Sequence, residues 1–193
     1  VTNIISSPVK IFNNLTNQYN QFKSLKFENL KLQEEIIRLK KWQTLAIQNS
    51  RENKVLKRLL NDRSQKIRHY AVNKIPESQI DEFQTELNSL IFDNSAAIRA
   101  ICRSLLSKLS NPNYTEIYRE EIAKNPTLGS IIGLSEVGEK SDLDTLGEFL
   151  SSDSAKQRAA GLFAISNLDY DKAKEKAFEL LNDSSNTVKK SCF

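Results

Sequence analysis

The sequence predicts an all-α protein in which a long N-terminal helix leads into an α-solenoid of about five helix pairs. Three observations favour this fold class. A short motif returns about every 31 residues beyond residue 60, and a fixed period of this length is typical of stacked helix pairs. Residues 9–61 contain neither Gly nor Pro, as expected for one long helix. No stretch alternates apolar and polar residues in the manner of a half-buried strand.

The N-terminal helix is predicted to begin at Ser7-Pro8, with a serine cap followed by proline at the first helical position. One set of positions steps by seven along it: Leu25, Leu32, Leu39, Ala46, Asn53 and Leu60. Ile36 adds a partner position, whose equivalents Asn29, Gln43 and Ser50 are polar. This spacing predicts either a dimeric coiled coil through residues 22–60, with asparagines fixing the register, or packing against the repeats that follow.

After residue 60 the pattern changes to short helices in pairs, separated by Pro, Gly and Asn-Pro breaks. Apolar residues recur at helical spacing in each segment. The sequence predicts helices at Lys66–Ile75, Ile80–Phe92, Ala96–Leu109, Thr115–Lys124, Leu128–Val137, Leu143–Leu150, Ala155–Leu168, Tyr170–Leu181 and from Asn186 onward. The chain therefore divides into a helical arm, residues 1–60, and a repeat domain, residues 61–193.

The repeated motif is an acid, then a serine, an aliphatic residue and a base, followed three residues later by a small residue. Its first copy begins at Asp62, and its small residues are spaced 31, 31, 28 and 31: Ala71, Cys102, Gly133, Gly161 and Cys192. Small side chains allow neighbouring helices to approach closely. The third copy, at residues 128–134, has neither acid nor base, so a ladder of charges is expected to be broken there.

The charged positions of the motif predict a structural ladder, in which each acid caps a second helix and each base reaches an acid of its own or the next repeat. The alternative is that the column of bases binds an acidic ligand. The ladder residues are Asp62, Arg68, Asp93, Arg99, Arg158, Asp183 and Lys189.

With this period and these hydrophobic positions, residues 59–193 resemble HEAT repeats. Gly133-Leu134-x-Glu136-x-Gly138, followed by Asp142 and Asp144, is similar to the short bacterial form of that repeat. The resemblance implies a superhelical surface that binds proteins, and it implies no chemistry.

Residues 7–61, which make up most of the arm, have a second resemblance. Lys41-Trp42-Gln43-x-x-Ala46 and the segment from Arg51 to Asn61 are similar to the coiled-coil segment of MreC, a family of bacterial cell-shape proteins. In that family a membrane helix precedes the coil and a β-domain follows it, whereas residues after Asn61 here are predicted to be helical. This resemblance implies a scaffold of the cell envelope that acts through its coil.

Charge is distributed unevenly along the chain. Residues 1–60 carry 11 Lys and Arg against 4 Asp and Glu, a net charge of +7, and residues 61–193 carry 17 against 20, a net charge of −3. The basic arm suits an anionic membrane surface or nucleic acid, but a solvated helix face is the favoured explanation of its charge. The negative repeat domain argues against the DNA binding of HEAT-like alkylation-repair glycosylases, which need a basic concave face.

The residues needed for common catalytic and metal sites are not found. The sequence has one histidine, His69, no zinc-ligand spacing and no Gly-rich phosphate loop, and its two cysteines lie at the small-residue positions of the repeat. We therefore expect no catalytic residue, metal or cofactor. The chain contains no membrane span or signal peptide, which predicts a cytoplasmic protein, or a membrane-associated one if an anchor upstream of Val1 has been removed.

The function predicted from these features is that of a non-catalytic scaffold that binds protein partners. The arm is expected to mediate self-association or docking, and the second helices of the repeats to present the partner surface. Their outward positions are predicted to be Lys66, His69, Asn73, Ser104, Lys156 and Phe163. An exposed Phe163 would be the best single anchor, since aromatic side chains dominate interface energetics, but packing of this residue within the array is the favoured expectation.

Overall fold

The computed structural model describes the backbone of residues 6–192 and the side chains of residues 10–192. Within these residues there are ten α-helices and no strand, so the predicted all-α class is confirmed. The helices are α1 (Ser6–Leu60), α2 (Gln65–Val72), α3 (Gln84–Leu90), α4 (Ala96–Leu106), α5 (Tyr114–Lys124), α6 (Leu128–Val137), α7 (Leu143–Glu148), α8 (Ala155–Leu168), α9 (Tyr170–Leu180) and α10 (Asn186–Ser191).

The chain consists of two compact units, Val1–Lys54 and Val55–Phe193. The boundary falls six residues before the one that the sequence suggested. Leu60 is fully buried, and Leu56 and Leu59 pack against the same apolar cluster. The last turns of α1 therefore serve as the first helix of the first repeat.

The second unit is built from five helix pairs that pack in chain order. The second helices of neighbouring pairs touch one another, α2 with α4, α6 with α8 and α8 with α10. Two apolar clusters fill the interior, one from Leu60 to Leu106 and the other from Tyr118 to Ala173. Phe92 packs against both, and its ring meets that of Tyr118 edge to face, with centroids 5.5 Å apart. The two clusters thus adjoin one another.

The predicted helices match the structure in order, but α2 and α4 end at Val72 and Leu106, each three residues before its predicted end, and other elements differ as follows. Residues Glu77–Phe83 form a 3₁₀ helix before α3, with a kink at Gln79, where φ is −130° and ψ is 16°. Another short 3₁₀ turn, Phe149–Ser151, replaces the predicted end of α7. Helix α1 begins at Ser6, so Ser7 and Pro8 lie inside its first turn instead of capping it.

The small residues of the motif lie where helices approach most closely. Ala71 and Cys102 are fully buried. A Cβ atom on Gly133 would lie 2.3 Å from Cε1 of Tyr118, and one on Gly161 would lie 3.0 Å from Cβ of Phe149. Steric exclusion at the contact between neighbouring helices therefore explains the glycines at these two positions.

Candidate interaction surfaces

The ladder residues join consecutive repeats through paired hydrogen bonds. Arg68 donates to Asp93 over 2.6 Å (Nε to Oδ2) and 3.1 Å (Nη2 to Oδ1), and its third nitrogen donates to the backbone oxygen of Asp62. Arg158 binds Asp183 in the same way, with both distances 2.8 Å, and donates to the backbone oxygen of Ser152. Each arginine thus ties the start of its own helix to the acid of the following repeat.

The third repeat keeps the ladder although its motif lacks an acid. Arg99, which is 1% exposed, donates from Nε and Nη2 to the two carboxylate oxygens of Glu136 in α6, and from Nη1 to the backbone oxygen of Asp93. Glu136 also pairs with Arg103 at 2.9 Å. The ladder is therefore kept between the second and third repeats, since an acid from the end of the second helix takes the place of one at its start. Ser130 holds the base position of the third repeat and bonds to Thr127, so that among the described residues no ion pair continues the ladder from there to the fourth repeat.

The acids do not cap the second helices as expected. Oδ1 of Asp62, Asp93 and Asp183 accepts a hydrogen bond from the backbone N–H two residues later, at 2.7, 2.8 and 2.7 Å. That residue is the serine that precedes the helix. The acids therefore shape the turn into the helix, and in Asp93 and Asp183 the oxygen that accepts from the serine is shared with the arginine, which also binds the other oxygen. Lys189, the last base of the ladder, has no such acid among the described residues.

Ion pairing lowers the pKa of several of these carboxyl groups. The hydrogen bond from Arg158, with help from the backbone of Ser185, holds the pKa of Asp183 below its usual value. Burial would raise the pKa of Asp142, but hydrogen bonds from Arg119 and the Glu139 backbone outweigh it, so that this pKa is lowered too. Both carboxylates stay ionised at neutral pH and contribute to joining adjacent elements.

All six positions predicted to face outward are exposed. Phe163 is 52% exposed and does not pack within the array. It lines a groove of about 480 Å³ between α8, α9 and α10, together with Tyr170 and Phe178, which are 73% and 64% exposed. Among the described residues that line the groove, Lys174 alone is charged. Three exposed aromatic side chains in one place are typical of a protein-binding surface.

Tyr170 and Phe178 were not predicted as surface residues from the sequence, although the repeat pattern contains a signal for Phe178. Five residues before the acid position, the other repeats with a clear motif have Lys57, Asn88 and Gly147, whereas the last has Phe178. Likewise Phe163 stands where the first two repeats have Asn73 and Ser104. The groove therefore has aromatic residues at repeat positions where other repeats have a polar residue or glycine.

The first unit presents a continuous helical surface. Every side chain from Lys10 to Glu52 is exposed. We define the seam as the heptad positions from Ile11 to Ala46 that lie on one side of α1 and carry no charge: Ile11, Leu15, Gln18, Phe22, Leu25, Asn29, Leu32, Ile36, Leu39, Gln43 and Ala46. Its large apolar members are 49–68% exposed. Leu60 is buried, which removes the C-terminal end of the predicted segment 22–60 from any contact with a second copy.

The thiol of Cys102 and the hydroxyl of Tyr118 lie buried in the interior of the repeat domain. Burial raises the pKa of the Cys102 thiol to about 12, which keeps it protonated. Tyr118 is fully buried, and its hydroxyl donates to the backbone oxygen of Ile91 at 2.6 Å. Within residues 6–192, no three His, Cys, Asp or Glu side chains come together in a group that could hold a metal ion. None of the described helices is both long and apolar enough to cross a membrane.

No protein family model matches the chain, and no curated protein sequence is significantly similar to it.

Proposed function

We propose that the protein is a non-catalytic scaffold, in which α1 binds the same helix of a second copy and the repeat domain presents a surface for another protein. The observation that carries the proposal is the exposed, uncharged seam of α1. Residues 10–52 of α1 are all exposed to water, whereas most helical stability in proteins comes from packing of an apolar face.

The position of the seam within the helix supports self-association. Other apolar side chains of α1, such as Phe27, Leu30 and Ile37, lie on the opposite side. Their row is interrupted by the charged Glu34 and Lys41 at the same spacing. The seam alone continues over five heptads without a charge, which is the pattern that two packed helices require.

The experiment that tests this proposal is light scattering on the full chain. The variant Leu32→Asn/Ile36→Asn/Leu39→Asn should convert a dimer to a monomer, because it places three polar residues in the seam. The matched control Leu30→Asn/Ile37→Asn removes exposed apolar residues from the other side and should leave the dimer intact. A wild-type chain that is monomeric at high micromolar concentration would rule out self-association.

The groove around Phe163 supports the second half of the proposal. Its exposed aromatic residues provide apolar contact area, and Lys174, which has no ion pair within the described part of the chain, favours a partner that carries an acid. The HEAT-like repeat pattern agrees with such a role, since repeats of that kind bind proteins along their second helices. In the MreC-like alternative, the coil itself would be the functional part and would serve the cell envelope.

A second candidate function is docking on an anionic surface, either a membrane or nucleic acid. The basic residues Lys10, Lys23 and Lys41 are exposed, have no ion pair and lie outside the seam. Lys57 belongs to a different environment, since it pairs with Glu86 at 3.5 Å and lies over the ring of Phe83. Replacing Lys10, Lys23 and Lys41 by Gln should abolish binding to phosphatidylserine vesicles or to duplex DNA, with the dimer unchanged, if this candidate holds.

A further inference from the structure

The flanks of the seam carry charges that are sorted by sign. In heptad notation the seam residues occupy positions a and d. Position g, which directly precedes a, is acidic wherever it is charged, at Glu28 and Glu35. Position e, which directly follows d, is basic wherever it is charged, at Lys26, Lys40 and Lys54. The charges of the two flanks are therefore of opposite sign between residues 26 and 54, where the flanks are charged.

This sorting discriminates between the two ways in which α1 can pair with a second copy. In a parallel pair, each g residue faces the e residue five positions later on the other helix, so that Glu35 faces Lys40. In the antiparallel pair that places residue 18 opposite residue 43, g faces g, which brings Glu28 of each helix to Glu35 of the other. Only the parallel arrangement avoids contacts between like charges.

The uncharged flank positions fit the same arrangement. Trp42 is a g residue, and the e residue five positions later is Ile47; both are exposed in the single chain, at 65% and 47%. In a parallel pair these two side chains would cover the polar seam position Gln43, which lies between them in sequence. The seam is thus reinforced from its flank where its own apolar character is weakest.

The seam residues also favour two parallel strands in one register. Ile36 occupies position a, and Leu25, Leu32 and Leu39 occupy position d, a combination that favours parallel dimers. Asn29, also at position a, would face Asn29 of the second copy in that arrangement and hydrogen-bond to it. A buried asparagine pair of this kind fixes the register, because any shift leaves each amide against an apolar side chain.

We infer that α1 forms a parallel, in-register coiled coil with a second copy of the chain, held by Glu35–Lys40 pairs between the copies and by an asparagine pair at residue 29. The inference rests on the proposed self-association and adds its orientation. In the single chain, Glu35 is bonded only loosely, to Arg38 at 3.6 Å with both side chains more than half exposed. Lys40 has no ion pair, so both groups are available for the second copy.

Disulfide trapping in the full-length chain tests the orientation. In a background with Cys102→Ala and Cys192→Ser, a single cysteine is placed at Gln18→Cys or at Gln43→Cys, near the two ends of the seam. Parallel, in-register pairing brings each cysteine to its own counterpart, so that each variant alone should give a covalent dimer on mild oxidation. A mixture of the two, one of them tagged, should give no mixed dimer.

The outcomes separate the orientation from self-association itself. A mixed dimer of the two variants, with neither variant trapped alone, would show the antiparallel pairing that places residue 18 opposite residue 43. A dimer by light scattering that neither variant nor the mixture traps would overturn the in-register arrangement and leave self-association standing. A monomer by light scattering would remove the proposed function as well.

Charge reversal tests the Glu35–Lys40 contact directly. Glu35→Lys alone and Lys40→Glu alone should each weaken the dimer by about tenfold at low salt, because every attractive pair becomes repulsive. The double variant Glu35→Lys/Lys40→Glu should restore the wild-type dissociation constant. If the double variant is as weak as the single ones, the contact between these two residues does not exist.

Discussion

Arg158 donates two hydrogen bonds of 2.8 Å to Asp183, 25 residues further along the chain, and this pair joins the last two repeats. The same two nitrogens of Arg68 bind Asp93 at the same separation in sequence. In each case the acid also holds the backbone N–H of the serine that precedes the next helix. The acid side chain thus makes two contacts, one that fixes the turn before its own helix and one that binds the arginine of the preceding repeat. The sequence period of about 31 residues reflects these contacts.

The ladder predicts that Asp93 contributes far more to stability than a surface acid does. Its side chain is 4% exposed and that of Arg68 is 16% exposed, so removing the carboxylate leaves a poorly hydrated guanidinium. Asp93→Asn should lower the free energy of unfolding in urea by about 2–3 kcal/mol. Asp81→Asn, at an exposed position, is the control and should change it by less than about 0.5 kcal/mol. Equal effects of the two substitutions would contradict a stabilising ladder.

Stability should fall in acid because of the paired carboxyl groups. The pKa values of Asp183 and Asp142 are lowered in the folded protein, chiefly by Arg158 in the first case and, against the effect of burial, by Arg119 in the second. Unfolded aspartates titrate near pH 3.9. Their contribution is therefore complete above about pH 4 and is lost as the pH falls through the lower folded values.

Thermal unfolding followed by circular dichroism from pH 6 down to pH 2 measures this loss. The wild-type midpoint should decline mainly below about pH 4. Asp183→Asn should start from a lower midpoint at pH 6 and decline less steeply, since it lacks one of the groups that must be protonated. A variant with the same slope as the wild type would show that Asp183 is not linked to folding.

Glycine at position 133 is predicted to be required, although glycine inside a helix is normally unfavourable. A Cβ atom there would lie 2.3 Å from the ring of Tyr118, which is fully buried and cannot move aside. Gly133→Ala should therefore destabilise the protein by about 1–3 kcal/mol, as overpacking does.

Gly147 is the matched control, since it also lies in a helix but has no atom within 4 Å of its Cβ position. Gly147→Ala should stabilise the protein by up to about 1 kcal/mol, because alanine is the better helix former. The two substitutions should thus act in opposite directions in the same urea titration. A gain in stability at residue 133 would contradict the close packing described there.

The two cysteines should differ in reactivity. Burial raises the pKa of Cys102 to about 12, and the side chain is fully buried, whereas Cys192 is only partly covered. With Ellman's reagent at pH 8, the folded protein should release one equivalent of thiolate, and the second only after unfolding in guanidinium. Cys192→Ser should release none while folded. Rapid reaction of that variant would show that the helices around Cys102 open readily.

The sequence was sufficient to predict the helices because their ends are chemically marked. Leu128–Val137 lies between a Pro-Thr start and Gly138, and its predicted bounds agree with the structure at both ends. The 3₁₀ helix Glu77–Phe83 was not predictable in the same way. Its residues have ordinary helical composition, and the kink at Gln79 depends on how Ile80 and Phe83 are buried against other helices.

Contacts were harder to predict than positions. The pairing of Arg99 with Glu136 could not be deduced from the motif, because this acid lies outside it and 37 residues away. The aromatic groove was only partly foreseen: Phe163 was placed outward by its position in the repeat, but Tyr170 and Phe178 lie on a first helix, where the motif sets no exposed positions. Such contacts depend on how successive helix pairs pack, which periodicity does not determine.

The groove leads to a final prediction, that its aromatic residues are free to bind and contribute little to folding. Phe163→Ser should change the free energy of unfolding by less than about 0.5 kcal/mol, because the side chain is 52% exposed. Its neighbour Leu162 is 3% exposed, and Leu162→Ser should cost about 3 kcal/mol or more. Urea denaturation measures both, and binding of the apolar dye ANS should decrease in Phe163→Ser. A large loss of stability in Phe163→Ser would instead assign Phe163 to the core of the repeat domain.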